Sequence, residues 1–137
     1  MERWIIHLIA GLDEHIDEKT RAKVLEQCGR QCQSRGFVRK AQGIYQKSKN
    51  IDVFLDEFGK VYKHLHRDGD KVDIIYPKCY CSHVNKIPPR KLSATYCNCS
   101  RGWAKELFEG VLGRPVGVNM EKSIIKGDDQ CRFRIVL

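Results

Sequence analysis

The spacing of apolar residues changes once along the chain, and this change limits the folds open to it. Before Gly59 they recur at helical spacing, as Leu25, Cys28 and Cys32 do at i, i+3 and i+7. After Gly59 the segment VYKHLHRDGDKVDIIYP has two β-rich runs joined by an Asp-Gly turn at 68–69, which is typical of a tight hairpin. The sequence therefore predicts helices followed by a sheet.

Capping residues indicate the helix boundaries in the first half. One helical pattern starts near Asp17 and ends at Gly36. Asn50 is a suitable N-cap for a further helix, and Gly59 is suitable just after its end. The apolar stripe of that helix consists of Ile51, Phe54, Leu55 and Phe58. The apolar opening WIIHLIAGL, residues 4–12, is too short to span a bilayer and predicts a core helix.

A long helix and a second hairpin follow in the second half. The helix runs from about Tyr96 to Leu112 and ends at Gly113. One of its faces carries Cys99, Trp103, Leu107 and Val111. Alternating residues on both sides of a KGDD turn then predict the second hairpin. This order predicts an α+β fold, in which N-terminal helices pack on one face of an antiparallel sheet made of two hairpins.

The amino-acid composition indicates which class of protein the chain belongs to. The hydrophobic fraction of 42% and the charged fraction of 31% are usual for a globular protein, and no repeat or linker divides the chain, so we expect one domain over 1–137. The N-terminus lacks a cleavable signal, which predicts a cytoplasmic protein without a membrane segment. The net charge of +8 is spread over four regions and accompanies no nucleic acid-binding motif, so it indicates a basic solvated surface.

Four of the seven cysteines lie in CYCSHVNKIPPRKLSATYCNC, residues 79–99, where two Cys-x-Cys pairs bracket a proline loop. In an extended segment residues i and i+2 point to the same side, so Cys79 and Cys81 would face one spot. Cys97 and Cys99 fall at the start of the long helix. There the free backbone N–H groups and the helix dipole favour thiolates, which predicts lowered pKa values.

Such thiols suit either metal binding or nucleophilic catalysis. Two converging pairs would supply four sulfurs, enough for a tetrahedral zinc or an iron–sulfur centre. Cys28 and Cys32 share a helical face and would either extend this centre or only pack in the core, without any cofactor. His83 is either a spare nitrogen ligand or an exposed loop residue. The usual hydrolase, protease and nucleotide-binding motifs are absent from the sequence.

The C-terminal third, YCNCSRGWAKELFEGVLGRPVGVNMEKSIIKGDDQCRFRIVL, resembles the small-molecule-binding domain named after 4-vinyl reductase. Relatives of that domain include sensory domains of phenol-responsive bacterial regulators and subunits of the TRAPP trafficking complex. The match consists of a helix with small residues, a glycine-ending turn, a strand, a Gly-Asp turn and a Cys-x-Phe-x-Ile strand. The resemblance implies a homodimer and a small-molecule ligand held between helices and sheet. The implied pocket residues are Tyr96, Trp103, Phe108 and Phe133, and the alternative is that these aromatics simply fill the core.

The same resemblance implies a zinc site, but an incomplete one. Metal-binding members of the vinyl-reductase-type family share zinc among three cysteines, whose positions match Cys97, Ser123 and Cys131 here. Because the middle position is serine, we expect a rearranged site. That site would draw on Cys79, Cys81, Cys97 and Cys99, with Cys28, Cys32 and Cys131 as further ligands.

Two functions from different classes follow. The first is a cytoplasmic, sensor-like module that binds a small molecule or a metal at a cysteine-rich site. The second is a small hydrolase or thiol enzyme with Cys97 or Cys99 as its nucleophile, since the C-terminal pattern is also similar to the bacterial L-2-amino-thiazoline-4-carboxylic acid hydrolases. No catalytic residue set of that family matches this chain.

Overall fold

A computed structural model describes residues 2–137, which form five α-helices and a four-stranded antiparallel sheet. The helices are α1 (Glu2–His15), α2 (Glu18–Cys32), α3 (Arg35–Gln46), α4 (Ile51–Val61) and α5 (Asn98–Leu112). The strands are β1 (Leu65–Asp68), β2 (Lys71–Tyr76), β3 (Gly117–Lys122) and β4 (Cys131–Val136). Short 3-10 turns lie at Ala94–Cys97 and Ile124–Lys126. The predicted α+β class and the predicted order of helices and hairpins are confirmed.

Side-chain caps decide where three of the helices begin. Asp17, Ser34 and Asn50 each accept a hydrogen bond from the backbone N–H three residues later, which pairs one otherwise free donor of the first turn. The helix predicted to run from Asp17 to Gly36 is therefore wrong at its end. It stops at Cys32, and Ser34 starts a new helix.

The end of α4 also differs from the prediction. Gly59 was expected to follow the helix, but the helix continues to Val61. A glycine ends a helix when it takes a positive φ, and Gly59 does not do so. Its missing side chain instead faces the start of β1, where a Cβ would lie 3.9 Å from the carbonyl oxygen of Leu65.

The two hairpins lie side by side, in the strand order β1-β2-β4-β3. Successive side chains of a strand point to opposite faces of the sheet. One face packs against the helices in a core that includes Val72, Ile74, Val118, Phe133 and Ile135 from the strands and Phe54, Phe58, Leu107 and Phe108 from α4 and α5. The other face carries Asp73, held by Arg134 and Arg132. The helices thus cover one face, as predicted.

Two glycines bring α2 and α5 into backbone contact. A Cβ on Gly29 would lie 1.7 Å from the carbonyl oxygen of Cys99, and one on Gly102 would lie 1.9 Å from that of Glu26. Next to this crossing, Lys105 Nζ donates a 2.8 Å hydrogen bond to the Glu26 carboxylate. Because no side chain separates the two backbones, the last turns of α2 lie directly against the first turns of α5.

The first helix is more peripheral than predicted. Residues 4–12 were expected to form a core helix, but within α1 Ile9 alone is buried, while the exposed fractions of Trp4 and Leu8 are 65% and 44%. Its inner side joins a small second cluster with Leu25 and with residues of the loop after β2. Among residues 2–137, no helix has the length and apolar character needed to cross a membrane.

Candidate functional site

Five of the seven cysteines line one cavity of about 490 Å³, called the cysteine cavity below. They are Cys32 at the end of α2, Cys79 and Cys81 in the loop after β2, Cys99 in the first turn of α5, and Cys131 at the start of β4. Three of the four aromatic residues expected in a ligand pocket line the same cavity: Tyr96, Trp103 and Phe133. The structure therefore brings together most of the residues predicted for the metal site and the ligand pocket.

Three of the predicted residues lie outside this lining. Phe108 has an exposed fraction of 0% and packs in the main core, outside the lining of this cavity. Trp103 and Phe108 are five residues apart on α5, so their side chains leave the helix in different directions. Cys28 is exposed on α2, and Cys97 is buried.

The glycine crossing explains why Cys32 lies near Cys99. Gly29 sits one turn before Cys32 and touches the backbone of Cys99, so the two thiols reach the cavity from adjoining helices. Burial is the largest cause of the raised pKa of Cys99, and a negative charge on Cys32 or Cys81 would raise it further. These three thiols are thus close enough to influence one another electrostatically.

The strand register places the remaining thiols. Tyr76, the last residue of β2, pairs with Cys131, the first residue of β4. The chain leaves the sheet at that point through Pro77, so Cys79 and Cys81 follow immediately at the same end of the sheet. The first residues of this loop therefore lie next to Cys131 and across the cavity from α5.

Cys97 forms the buried part of the thiol cluster. Its Sγ lies 3.1 Å from the Ser123 hydroxyl, and both residues are almost inaccessible, with exposed fractions of 4% and 0%. The backbone N–H of Ile124 donates to Cys131 Sγ at 3.4 Å. The three positions that the vinyl-reductase-type resemblance matches to zinc ligands are therefore neighbours in the structure, joined by hydrogen bonds through Ser123 and Ile124.

The thiol pKa values differ from the prediction made for Cys97 and Cys99. Burial, the largest cause, raises the pKa of Cys97 to about 11 and that of Cys99 to about 12. Burial also raises the pKa of Cys79 and of Cys131. The helix start was expected to lower these values, but loss of hydration disfavours the thiolate more than the helix dipole favours it. At neutral pH these four thiols are protonated.

The arrangement of thiols does not form a ready-made metal centre. Within residues 2–137, no three His, Cys, Asp or Glu side chains converge closely enough to hold a metal ion. Zinc in a structural site takes four ligands in a tetrahedron, and they must be deprotonated. A zinc or iron–sulfur centre would thus require the thiols to move together and lose protons, and it stays a prediction.

An aromatic wall that the sequence pattern did not indicate borders the cavity. Tyr76 and Tyr80 line it, and their ring centroids are 5.8 Å apart. The His64 ring lies 4.7 Å from that of Tyr76 and 5.2 Å from that of Tyr80. The Tyr76 hydroxyl is 2.6 Å from that of Tyr62. The signal was present for Tyr76, since it alternates with Val72 and Ile74 on the helix-facing side of β2.

Polar side chains at the cavity include tyrosines, serines, a lysine and a histidine. The Tyr96 hydroxyl lies 3.2 Å from Cys81 Sγ, and burial with this contact raises the pKa of Tyr96. Burial likewise raises the pKa of Tyr76 to about 12. Lys78 and His83 also line the cavity. Both tyrosines remain neutral at physiological pH, so their hydroxyls can donate hydrogen bonds to a ligand.

The chain belongs to the family of unknown function DUF6144, whose family model matches residues 1–137. No curated protein matches it in sequence.

Proposed function

We propose that the chain is a cytoplasmic, sensor-like binding module that takes a small aromatic or hydrophobic molecule into the cysteine cavity. The observation that carries this proposal is the convergence of five thiols and several aromatic rings around one volume of about 490 Å³. Small-molecule sites typically have volumes of about 300–1,000 Å³ and mainly apolar walls with a few polar groups.

The protonation state of the thiols supports ligand binding over catalysis. A thiolate is the nucleophilic form of cysteine, and raised pKa values keep Cys97 and Cys99 protonated at neutral pH. A protonated thiol is a small, polarizable, apolar group, well suited to contact an aromatic ring. A hydrolase or thiol enzyme with either residue as nucleophile therefore remains the less favoured alternative.

The hydroxyl groups of the wall indicate which ligand would fit. Tyr76, Tyr80 and Tyr96 place hydroxyl donors around the apolar lining, and Lys78 adds one positive charge at the cavity. We therefore expect an aromatic or hydrophobic ring that carries one polar or anionic substituent. The ring would contact Trp103 and the thiols, and the substituent would accept hydrogen bonds.

Ligand binding is tested with a thermal-shift screen of small aromatic and hydrophobic compounds, followed by calorimetry on the hits. Trp103 is half-buried and stacks on Phe37 at 6.0 Å, so Trp103→Ala should abolish binding but cost less stability than the ~3–5 kcal/mol of a fully buried Trp→Ala change. Trp103→Phe, which keeps a ring, should retain most of the affinity. Unchanged affinity in Trp103→Ala would contradict the proposal.

A soft metal ion is the second candidate ligand, favoured by the proximity of Cys99 to Cys32 and Cys81. Protein purified without chelator should then contain zinc or an iron–sulfur chromophore, and Cys81→Ser or Cys99→Ser should lose it. Cys28→Ser is the matched control, because Cys28 is exposed and outside the cavity lining. Metal-free protein whose melting temperature does not respond to added zinc would remove this candidate.

A further inference from the structure

The outer side of α1 carries an apolar stripe that nothing in residues 2–137 covers. Its apolar side chains are Trp4 and Leu8, and Gly11 and His15 continue the same helical face at the spacing i, i+4, i+7 and i+11. His15 Nε2 lies 3.8 Å from the Glu14 carboxylate. Trp4 is 65% exposed and Leu8 44%, and a Cβ on Gly11 would meet nothing within 4 Å. An apolar strip of this kind on a protein surface commonly marks an interaction site.

The charged residues beside this α1 stripe indicate what kind of partner would fit it. Arg3 and Glu14 are separated by about three helical turns, so they lie at opposite ends of the helix on the same flank of the stripe. If two α1 helices pack antiparallel about a two-fold axis near Leu8, Arg3 of each copy meets Glu14 of the other. A parallel two-fold pair would instead place these flanks on opposite sides of the interface, so Arg3 of one copy would not meet Glu14 of the other. Charge complementarity therefore fits a second copy of this chain in one orientation.

The shape of the stripe agrees with the same arrangement. An antiparallel pair centred near Leu8 places Trp4 of one copy opposite the region of Gly11 in the other. The open surface at Gly11 leaves room for the indole ring. In a two-fold pair this contact occurs twice, so both exposed tryptophans become covered.

We propose that the α1 stripe is a homodimer interface, in which the two α1 helices pack antiparallel. The vinyl-reductase-type resemblance implies a homodimer without specifying this surface, and the inference does not depend on the cysteine cavity, because α1 contributes no residue to its lining. A helix of 14 residues is about 21 Å long. The interface is therefore smaller than the usual total of about 1,200–2,000 Å², and the dimer should dissociate on dilution.

The test is sedimentation velocity over a range of concentrations up to about 1 mM. At this concentration it would detect a dimer whose free energy of association is as small as ~4 kcal/mol. The wild-type chain should show a monomer–dimer equilibrium. Trp4→Ala should weaken it at least about tenfold. Because Trp4 is exposed in the single chain, this variant should keep the wild-type circular dichroism spectrum and melting temperature.

Charge reversal gives the sharper test of orientation. Arg3→Glu and Glu14→Arg should each weaken the dimer, since each creates two like-charge contacts, and the double variant should restore it. A wild-type chain that stays monomeric up to about 1 mM would overturn the proposal, as would a dimer that Trp4→Ala leaves intact. Binding of the wild-type chain, but not of Trp4→Ala, to anionic vesicles without dimerisation would overturn it in favour of a lipid surface.

Discussion

Gly29 of α2 touches the backbone of Cys99 in α5 so closely that a Cβ at position 29 would lie 1.7 Å from the Cys99 carbonyl oxygen. This contact fixes the position of the first turn of α5 relative to the end of α2. It thereby holds Cys32 and Cys99 on the same cavity. The shape of the proposed binding site thus depends on a residue without a side chain.

Replacing Gly29 by alanine should therefore push the two helices apart. The added methyl would overlap backbone atoms, which cannot rotate away as a side chain can, and we expect a loss of about 3 kcal/mol or more in the free energy of unfolding. Urea denaturation measures the loss. Gly43→Ala is the matched control, because a Cβ there meets nothing within 4 Å and alanine should stabilise the middle of a helix by about 0.5–1 kcal/mol. Equal stability of the two variants would contradict the close contact.

The fold was predictable because local signals and tertiary structure agree in most of the chain. The Asn50 cap, the Gly113 end of α5 and the alternation in the two hairpins all act through neighbouring residues. Prediction was wrong where one residue type serves two purposes. Ser34 looked like part of a helix but caps the next one, and Gly59 looked like a helix end but takes no positive φ, so α4 continues to Val61.

The accessibility of the thiols predicts the order in which they react with iodoacetamide. Cys28 and Cys32 are exposed, whereas burial raises the pKa of Cys97 and of Cys99. Alkylation at about pH 7.5 followed by peptide mass spectrometry should therefore modify Cys28 and Cys32 first. The Cys99 rate should rise about tenfold per pH unit up to at least about pH 10, because only the thiolate reacts. Fastest reaction at Cys97 or Cys99 would instead support the thiol-enzyme alternative.

The pKa of Cys97 also predicts how stability changes in alkali. Burial holds this thiol protonated to about pH 11, above its ordinary value of 9.0, so the folded chain keeps a proton that the unfolded chain has lost. The Cys97 thiol should leave the free energy of unfolding unchanged below about pH 9. Between about pH 9 and 11 it should lower the free energy of unfolding by about 2–3 kcal/mol. Cys97→Ala should lack this part of the slope, whereas Cys28→Ser should keep it. If the free energy of unfolding falls equally steeply with pH in the wild type and in Cys97→Ala, the raised pKa of Cys97 is contradicted.

Chain order accounts for only part of the candidate site. Several thiols and aromatics named from the Cys-x-Cys spacing and the resemblance line the cysteine cavity, whereas Phe108, Cys28 and Cys97 do not. The pKa values depend on how much protein surrounds Cys97 and Cys99, and helix position alone cannot give that. Tyr80 was missed for a related reason, because the sequence does not show that its ring lies 5.2 Å from that of His64.

The ion pairs on the outer face of the sheet predict a loss of stability in acid. Arg134 donates to Asp73 at 2.9 Å, and this contact is the largest cause of the lowered pKa of Asp73. Because the pKa of Asp73 is lowered in the folded chain, its carboxylate stabilises the fold at pH values above the ordinary pKa of 3.8. This stabilisation is lost as the pH falls through the lowered pKa of the folded chain. Asp73→Asn should therefore cost about 1–3 kcal/mol at about pH 7 and less near pH 2, where the carboxylate begins to take up a proton. Urea denaturation at both pH values measures the difference.

Asp129→Asn is the matched control for this change. Asp129 pairs with Lys122 at 3.3 Å, but its side chain is 77% exposed, and surface ion pairs contribute only about 0–1 kcal/mol. Its stability should therefore stay close to that of the wild type at both pH values. Both variants should keep the wild-type alkylation pattern, because neither residue lines the cysteine cavity. A cost for Asp73→Asn that is the same in acid as at neutral pH would show that Asp73 stabilises the sheet by packing and hydrogen-bond geometry, independently of its charge.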